Sequence, residues 1–410
     1  MRGGTFTHQY SIDARNRAGR RFFVARIVLD ARMCGYRTGG IAAYTRQLTA
    51  ALIPVLAARG QTLFIAQSRR GGMHTALPAS VRQPTLWTPP HHRLEQWSLP
   101  VEYARLRPSL VHSPDFIPPR FGPWRTVVTV HDLDFVRHPA RLTAEAQRYY
   151  GQVRWAVHSA DAMIAVSGAT RDDLIALLDA DPARITVIHE AADARFTPSN
   201  EASPPTLAEL FAARGMPQES RRFFLAFGTI EPRKNLDTLL DAYCAYRRSC
   251  PDPIALIVGG SEGWNSTATV ARFRDESGVV WLKTVTPDEL VPLYRAALAL
   301  FVPSWEEGFG LPALEAMACG TPVVVSGARA LTEVTGMAAL TAPADDPAAW
   351  AAAMRRLTDD PPLRADLRQR GIARATHFSW CRAAAETADL YTRVLVAPPR
   401  KRHERTIRAH

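Results

Sequence analysis

The sequence has no cysteine pair to staple it. Its five cysteines, Cys34, Cys244, Cys250, Cys319 and Cys381, are odd in number, and none stand at C-x-x-C spacing. That argues against a disulfide framework and a structural zinc site, and for reduced thiols in a cytoplasmic protein. No apolar run reaches the ~18 residues of a membrane-spanning helix, and no secretory apolar segment stands at the N-terminus. A full G-x-G-x-x-G is also missing. Basic charge is sparse outside the two ends. The net charge is +11; residues 1–21 carry +4 and residues 398–410 another +4, which leaves +3 for the rest. A broad nucleic-acid-binding face is therefore not expected. The basic ends read either as solvated tails or as contacts to anionic headgroups at the inner membrane face, worth ~1 kcal/mol per basic residue.

What is present is the alternation of an α/β protein. At 410 residues the chain is long for one core, and roughly 100–200 residues per domain predicts two or three. FFVARIVLD (22–30) is a buried-strand run, RTGG (37–40) a turn, IAAYTRQLTAALIPVLAARG (41–60) a helix and TLFIA (62–66) the next strand. LVHS (110–113), TVVTVHD (126–132), AMIAVS (162–167) and ITVIHE (185–190) continue the series. Residues 197–220 break it with a Pro/Ser/Asn-rich stretch that reads as a linker. FFLAFG (223–228), IALIVGG (254–260), VVWLK (279–283), LALFVPS (298–304) and PVVVS (322–326) restart it. The last helix is expected over 379–397. The predicted organisation is a basic N-terminus (1–20), a first Rossmann-like domain (21–196), a linker (197–220), a second Rossmann-like domain (221–375), a terminal helix (376–397) and a basic tail (398–410). Ligands on doubly wound sheets bind beyond the carboxyl ends of strands, so the strand-to-helix turns are where chemistry belongs.

Four turns stand out. Gly39 and Gly40 open a helix, where unpaired amides and the dipole favour an anion; glycine pairs are also common in ordinary turns. His131 and Asp132 end a strand, placed either to bond a sugar hydroxyl or merely to tie down a loop. In FGTIEPRKNLDTLL (227–240), Arg233 and Lys234 follow Gly228 and precede Asn235, a candidate N-cap. Two cations there oppose the helix dipole, which makes sense if a doubly charged anion lies between them and the helix. In SWEEGFGLPALEAMACGTP (304–322), Glu307 and Glu315 flank Gly308 and Gly310. The glycines let amides approach a ligand, Pro312 suits a first helical turn, Glu315 is expected in that turn, and Gly320 stops the helix. Both carboxylates are expected to face one pocket and accept sugar or ribose hydroxyls.

Together these motifs resemble glycosyltransferase family 4, retaining enzymes of the GT-B fold, over residues 24–396. EGFGLPALEAMACGTPVV holds the E-x7-E motif as Glu307 and Glu315, and GTIEPRKNL, VSGATRDDL (166–174), VTVHDL and the DAR…TGGIAAYT opening match in order. Within the family the chain looks most like the bacterial mannosyltransferase-B-like branch of cell-surface polysaccharide synthesis. The resemblance implies two Rossmann-like domains facing across a cleft, the first on the acceptor side and the second on the nucleotide-sugar side. It implies that Gly39 and Gly40 lie near the donor diphosphate, that Gly228 belongs to the donor site, and that Arg233 and Lys234 neutralise the diphosphate. Glu307, with Gly308, Phe309, Gly310 and Leu311, would hold the donor sugar, Glu315 the ribose, and His131 would approach the sugar or the attacking hydroxyl. The terminal helix would cross back to the first domain. No bound metal or cofactor is implied beyond a GDP- or UDP-hexose donor, with a glycan or lipid-linked glycan as acceptor. Two positions depart from many relatives: EAAD (190–193) replaces N-G-V-D, and Thr229 replaces an arginine. An epimerase or hydrolase of the same fold, or an inactive sugar-nucleotide-binding protein, are the competing readings; the first would act on donor alone.

Overall fold

A computed structural model describes residues 25–35, 39–69, 71, 77–78, 81–92, 94–139, 144–198, 211–212 and 222–398. The basic ends, over 1–20 and 399–410, and most of the expected linker at 197–220 lie outside the described residues.

The first sheet contains β1 (Arg26–Asp30), β2 (Thr62–Ser68), β3 (Thr85–Leu86), β4 (Leu110–Ser113), β5 (Arg125–Val130), β6 (Ala162–Ala165) and β7 (Ile185–Val187). Their spatial order is β3-β2-β1-β4-β5-β6-β7, and every pair is parallel. The second contains β8 (Phe223–Phe227), β9 (Ala255–Gly259), β10 (Val279–Trp281), β11 (Ala299–Val302), β12 (Val323–Val325) and β13 (Leu340–Thr341). Its order is β10-β9-β8-β11-β12-β13, again all parallel. Each sheet reverses direction of growth once, between β1 and β4 in the first and between β8 and β11 in the second. Those two switch points are where a doubly wound sheet leaves a crevice.

Helices cover the sheets. In the first lobe they are α1 (Gly40–Ala58), α2 (Glu95–Leu106), α3 (Asp134–Arg137), α4 (Ala144–Tyr150), α5 (Val153–Ser159) and α6 (Gly168–Leu178). In the second they are α7 (Leu236–Ser249), α8 (Thr267–Asp275), α9 (Pro287–Ala296), α10 (Leu311–Cys319), α11 (Arg329–Thr335), α12 (Pro347–Asp359) and α13 (Pro361–Ala375). With both faces covered, strands read as continuous apolar runs, and all four residues of β4 and of β11 are buried. Two-residue β3 and β13 escape the sequence pattern because they are too short to show a period.

The last helix, α14 (Trp380–Val396), returns to the first lobe. Its Ala384, Ala388 and Tyr391 share a core with Tyr44, Leu48 and Leu52 of α1 and with Ile27 and Leu29 of β1. The Tyr391 hydroxyl bonds His112 Nδ1 at 2.6 Å, and His112 Nε2 meets Thr129 Oγ1 at 2.8 Å. Burial holds the His112 imidazole neutral by lowering its pKa to about 3. One expectation needs correction. Taken as a whole helix, α1 is long and apolar enough to cross a membrane. Arg46 and Gln47 interrupt the apolar run in sequence, but a helix-wide average tolerates them. In the structure its apolar stripe packs into the first lobe's core.

Candidate active site

The second switch point gathers three of the singled-out side chains. Pro232–Lys234 form a single 3-10 turn after β8, and the loop after β11 brings Glu307 against it. Lys234 Nζ donates to Glu307 Oε1 at 2.6 Å, and Arg233 donates to Glu307 Oε2 at 3.0 Å and to the Glu306 carbonyl at 2.9 Å. Ser304 Oγ donates to Glu307 Oε1 at 2.8 Å, and Glu231 takes a further Arg233 N–H at 2.9 Å. Burial alone would raise the Glu307 pKa, but Lys234 and then Arg233 pull it down to about 2. The carboxylate is thus ionised and already held by both cations.

Gly228 lies beneath this cluster. Its φ of +145° is one that side-chain-bearing residues avoid, and a Cβ there would touch the Lys234 stem at 3.4 Å. Asn235 sits where an N-cap belongs, but its side chain does not cap α7. Its φ is +54°, and its amide donates to the carbonyls of Pro303 and Ala344, tying the turns after β8, β11 and β13 together. Gly39 is the N-cap of α1 and Gly40 its first residue; a Cβ on either would meet open space. Neither glycine is demanded by packing.

The glycine turn of α10 has two jobs. Gly310 has a φ of +100°, and a Cβ there would strike Leu331 at 2.6 Å. Gly308 marks the point where the lobes touch. Its added Cβ would lie 1.8 Å from the His131 carbonyl, and its own carbonyl accepts from Ser167 Oγ at 2.7 Å. Thr170 Oγ1 stands 3.2 Å from the carbonyls of both Gly308 and His131. Ser167 is also the N-cap of α6, accepting from the Thr170 amide. Close by, Glu333 of α11 accepts from the Gly168 and Ala169 amides at the start of α6, and bonds His189 at 2.8 Å. Phe309 is buried against Phe378 and His189. Leu311, half-buried, is the first residue of α10. Between the lobes lies a crevice of about 230 Å³, open solvent included, lined by Asp132, Leu133, Asp134, Thr170, Asp173, Arg233, Glu306 and Glu307.

Glu315 is placed differently from the expectation. Because α10 begins at Leu311, Glu315 is its fifth residue, beyond the first turn. Its Oε2 accepts from the Tyr294 hydroxyl at 3.1 Å, and its charge environment comes from Asp193, Glu190 and Arg195. Burial, and then those two acids, push its pKa up to about 8 despite the tyrosine bond. At neutral pH it is largely a neutral acid, not the second carboxylate of the Arg233–Lys234 cluster.

His131 is engaged on both ring nitrogens. Nε2 donates to the Pro114 carbonyl and Nδ1 meets Glu190 Oε1, both at 2.9 Å. Burial opposes its protonation, but the Glu190 bond and charge outweigh it and the pKa is raised. Glu190 belongs to EAAD, the departure from N-G-V-D. Sequence reasoning noticed the departure but missed its partner, because a separation of 59 positions carries no pairing signal.

The first lobe has its own crevice, about 320 Å³ with open solvent included, at the β1/β4 switch point. Asp30, Arg32, His91, Glu95, Ser113, Asp115 and Tyr149 line it. The buried Ser113 hydroxyl has no partner among the described residues. The His91 and Tyr149 rings stack there at 3.9 Å. Among the described residues no group of three or more His, Cys, Asp or Glu gathers as a metal site.

Comparison with known proteins decides the family. Residues 38–196 match the model described as Glycosyltransferase Family 4, and residues 209–374 that of Glycosyl transferases group 1. The chain is 32% identical over 308 residues to O-antigen chain mannosyltransferase B of Escherichia coli, covering 73% of this chain and 77% of that one. The chain belongs to glycosyltransferase family 4. It is also 34% identical over 255 residues to a D-inositol 3-phosphate glycosyltransferase of Salinispora arenicola, across 59% of this chain and 56% of that protein. The Anabaena protein HepE, solved in complex with UDP and glucose, superposes with a TM-score of 0.70 at 18% identity, covering 90% of this chain and 100% of that one. The fold of this glycosyltransferase is therefore GT-B.

Proposed function

We propose that this glycosyltransferase moves a hexosyl group, with mannosyl as first choice, from a nucleoside-diphosphate sugar to a glycan or lipid-linked glycan, with retention at the anomeric carbon. One observation carries the reading: Arg233 and Lys234 converge on Glu307 at the second sheet's switch point. The similarity to a mannosyltransferase over most of both chains supports the choice of sugar.

The cluster suggests an exchange of partners. Without ligand, Glu307 neutralises both cations. A diphosphate arriving over Gly228 takes over their charge, and the freed carboxylate accepts sugar hydroxyls. As the C1–O bond to phosphate breaks, negative charge grows on the diphosphate, where two held cations stabilise the transition state most directly. The acceptor oxygen bonds C1 on the same face and its proton passes to the departing phosphate oxygen, so no protein nucleophile is required.

The test is incubation with GDP-mannose or UDP-glucose and a lipid-linked glycan, with the product anomer read by NMR. Retained configuration and dependence on acceptor are expected. An inverted product, or sugar release with donor alone, overturns the proposal. Saturating nucleoside diphosphate should also raise the melting temperature, since ~100 Kd of ligand stabilises by about 2.7 kcal/mol.

A further inference from the structure

Eight large apolar side chains are conspicuously exposed among the described residues, and five of them share one face of the first lobe. Trp87 is 67% exposed, Leu94 60%, Trp97 59%, Val101 57% and Phe121 46%. Leu94, the N-cap of α2, and Trp97 and Val101 within the helix recur at helical spacing, opposite its buried Leu99 and Tyr103. Trp87 is fixed beside that helix because its amide donates to Glu102 at 2.6 Å. The Trp97 and Phe121 rings meet at 5.8 Å. The patch is therefore continuous, and larger than the scattered exposure a soluble surface tolerates without purpose.

Its charge is one-signed. Arg69 lies over the Trp87 ring at 3.8 Å, and Arg120 lies between Trp97 and Trp155 at 5.8 and 5.4 Å. Arg82, Arg105 and Arg107 are exposed as well. The stretch 81–124 contains three acids, and each is engaged by groups of the protein. Glu95 is buried against Arg32, Glu102 takes the Trp87 and Thr88 amides, and Asp115 faces His91 and Tyr149.

We propose that this face docks the protein on an anionic lipid bilayer, with the tryptophans, Leu94, Val101 and Phe121 at the headgroup–acyl boundary and the arginines on lipid phosphates. Tryptophan beside arginine on an otherwise aliphatic helix face is the chemistry such an interface selects. A second copy of the chain fits poorly, because a twofold contact would set arginine rim against arginine rim with no acid between. Nucleic acid fits poorly too, since Leu94 and Val101 offer no stacking surface and Arg69 already covers Trp87. The segment 90–95 also supplies Pro90, His91 and Glu95 to the first lobe's crevice, so a ligand entering there enters beside the docked face. The inference stands independently of the transferase reading.

Vesicle flotation with the full chain tests it. Wild type should float with phosphatidylcholine–phosphatidylglycerol vesicles and weakly with phosphatidylcholine alone. Trp87→Ser/Trp97→Ser should lose at least about tenfold in partitioning. Arg69→Gln/Arg120→Gln should lose the preference for anionic vesicles. Leu94→Ser/Val101→Ser repeats the apolar arm should the tryptophan pair not fold, and UDP or GDP binding reports an intact donor lobe in every variant. Three results overturn the proposal: no flotation of wild type, wild-type flotation of the apolar variants (the basic ends then carry it), or tryptophan-dependent capture of single-stranded polynucleotide without vesicle binding.

Discussion

The two switch points have the same topology and opposite finishes. After β1 and β4, Arg32 is 3% exposed and donates to Asp30, to Glu95 and to the Thr88 carbonyl. The Tyr103 hydroxyl donates at 2.9 Å to Asp30 Oδ2, which also accepts from Arg32. Every charge there is answered from within the first lobe. After β8 and β11, Arg233 and Lys234 share Glu307, and they do so at the edge of a crevice that the other lobe closes. Lys234 has three N–H groups, and Glu307 occupies one of them. A buried ion cluster that satisfies itself stabilises or specifies a lobe. One that keeps donors in reserve at an inter-lobe surface is equipped for a ligand.

Breaking the first cluster should have the largest effect, and it should fall on folding. Arg32→Met leaves Asp30 and Glu95 buried without their cation, which costs about 3–5 kcal/mol. Urea unfolding measures it. A loss below about 1 kcal/mol would mean that this cluster is not sealed as the distances indicate. The second cluster should respond in turnover. Lys234→Ala removes one cation from the diphosphate position, and deleting one preorganised group of this kind lowers kcat about 10²–10³-fold. Its melting temperature should move little, because Arg233 and Ser304 still hold Glu307. Large unfolding with unchanged turnover would reverse the contrast.

The sequence carried the strand order's raw material well. All four residues of LVHS form β4, and AMIAVS, FFLAFG and PVVVS differ from β6, β8 and β12 only at their ends. Doubly covered strands announce themselves as apolar runs, so these elements were legible. That Arg233, Lys234 and Glu307 meet at one crevice was legible as well, because strand-end turns converge at a switch point; their direct ion pairing, and the turn of Glu315 toward Tyr294, were not. What was hidden depends on pairs far apart in the chain. His131 with Glu190 joins two distant strand ends of the first lobe, while Glu333 with the start of α6 and Gly308 against the His131 carbonyl require the packing of the two lobes. The glycine of SWEEGFG looked like room for a ligand, and in this structure its missing Cβ makes room for the other lobe.

Gly308→Ala sharpens that last point. The new methyl would overlap the His131 carbonyl at 1.8 Å, so the lobes must part and the Ser167 bond must stretch. Gly308 is exempt from any backbone-strain argument, since its φ is not among the positive ones. The expected result is intact nucleotide binding with turnover reduced about a hundredfold, the scale of a 1 Å misplacement of reacting groups. Thermal shift with nucleoside diphosphate and steady-state kinetics separate the two. Loss of binding together with turnover would place the defect in the donor lobe and not in its approach to the first.

The smallest effect distinguishes the two glutamates of one motif. Glu307 has its pKa lowered to about 2, so its stabilising contribution is present above its ordinary 4.5 and is lost as pH falls from 4.5 toward 2. Glu315 runs the other way. With a folded pKa of about 8 against an ordinary 4.5, the native state keeps a proton that the unfolded chain has released between those values. Its contribution is therefore full below 4.5 and declines as pH rises toward 8. Glutamine is an isostere of the neutral acid and still accepts from the Tyr294 hydroxyl. Glu315→Gln should melt with wild type near pH 4.5 and above it at pH 8. Parallel melting profiles across that window would show that Glu315 is ionised in the folded protein, and the contrast between the two carboxylates would then reduce to their different partners.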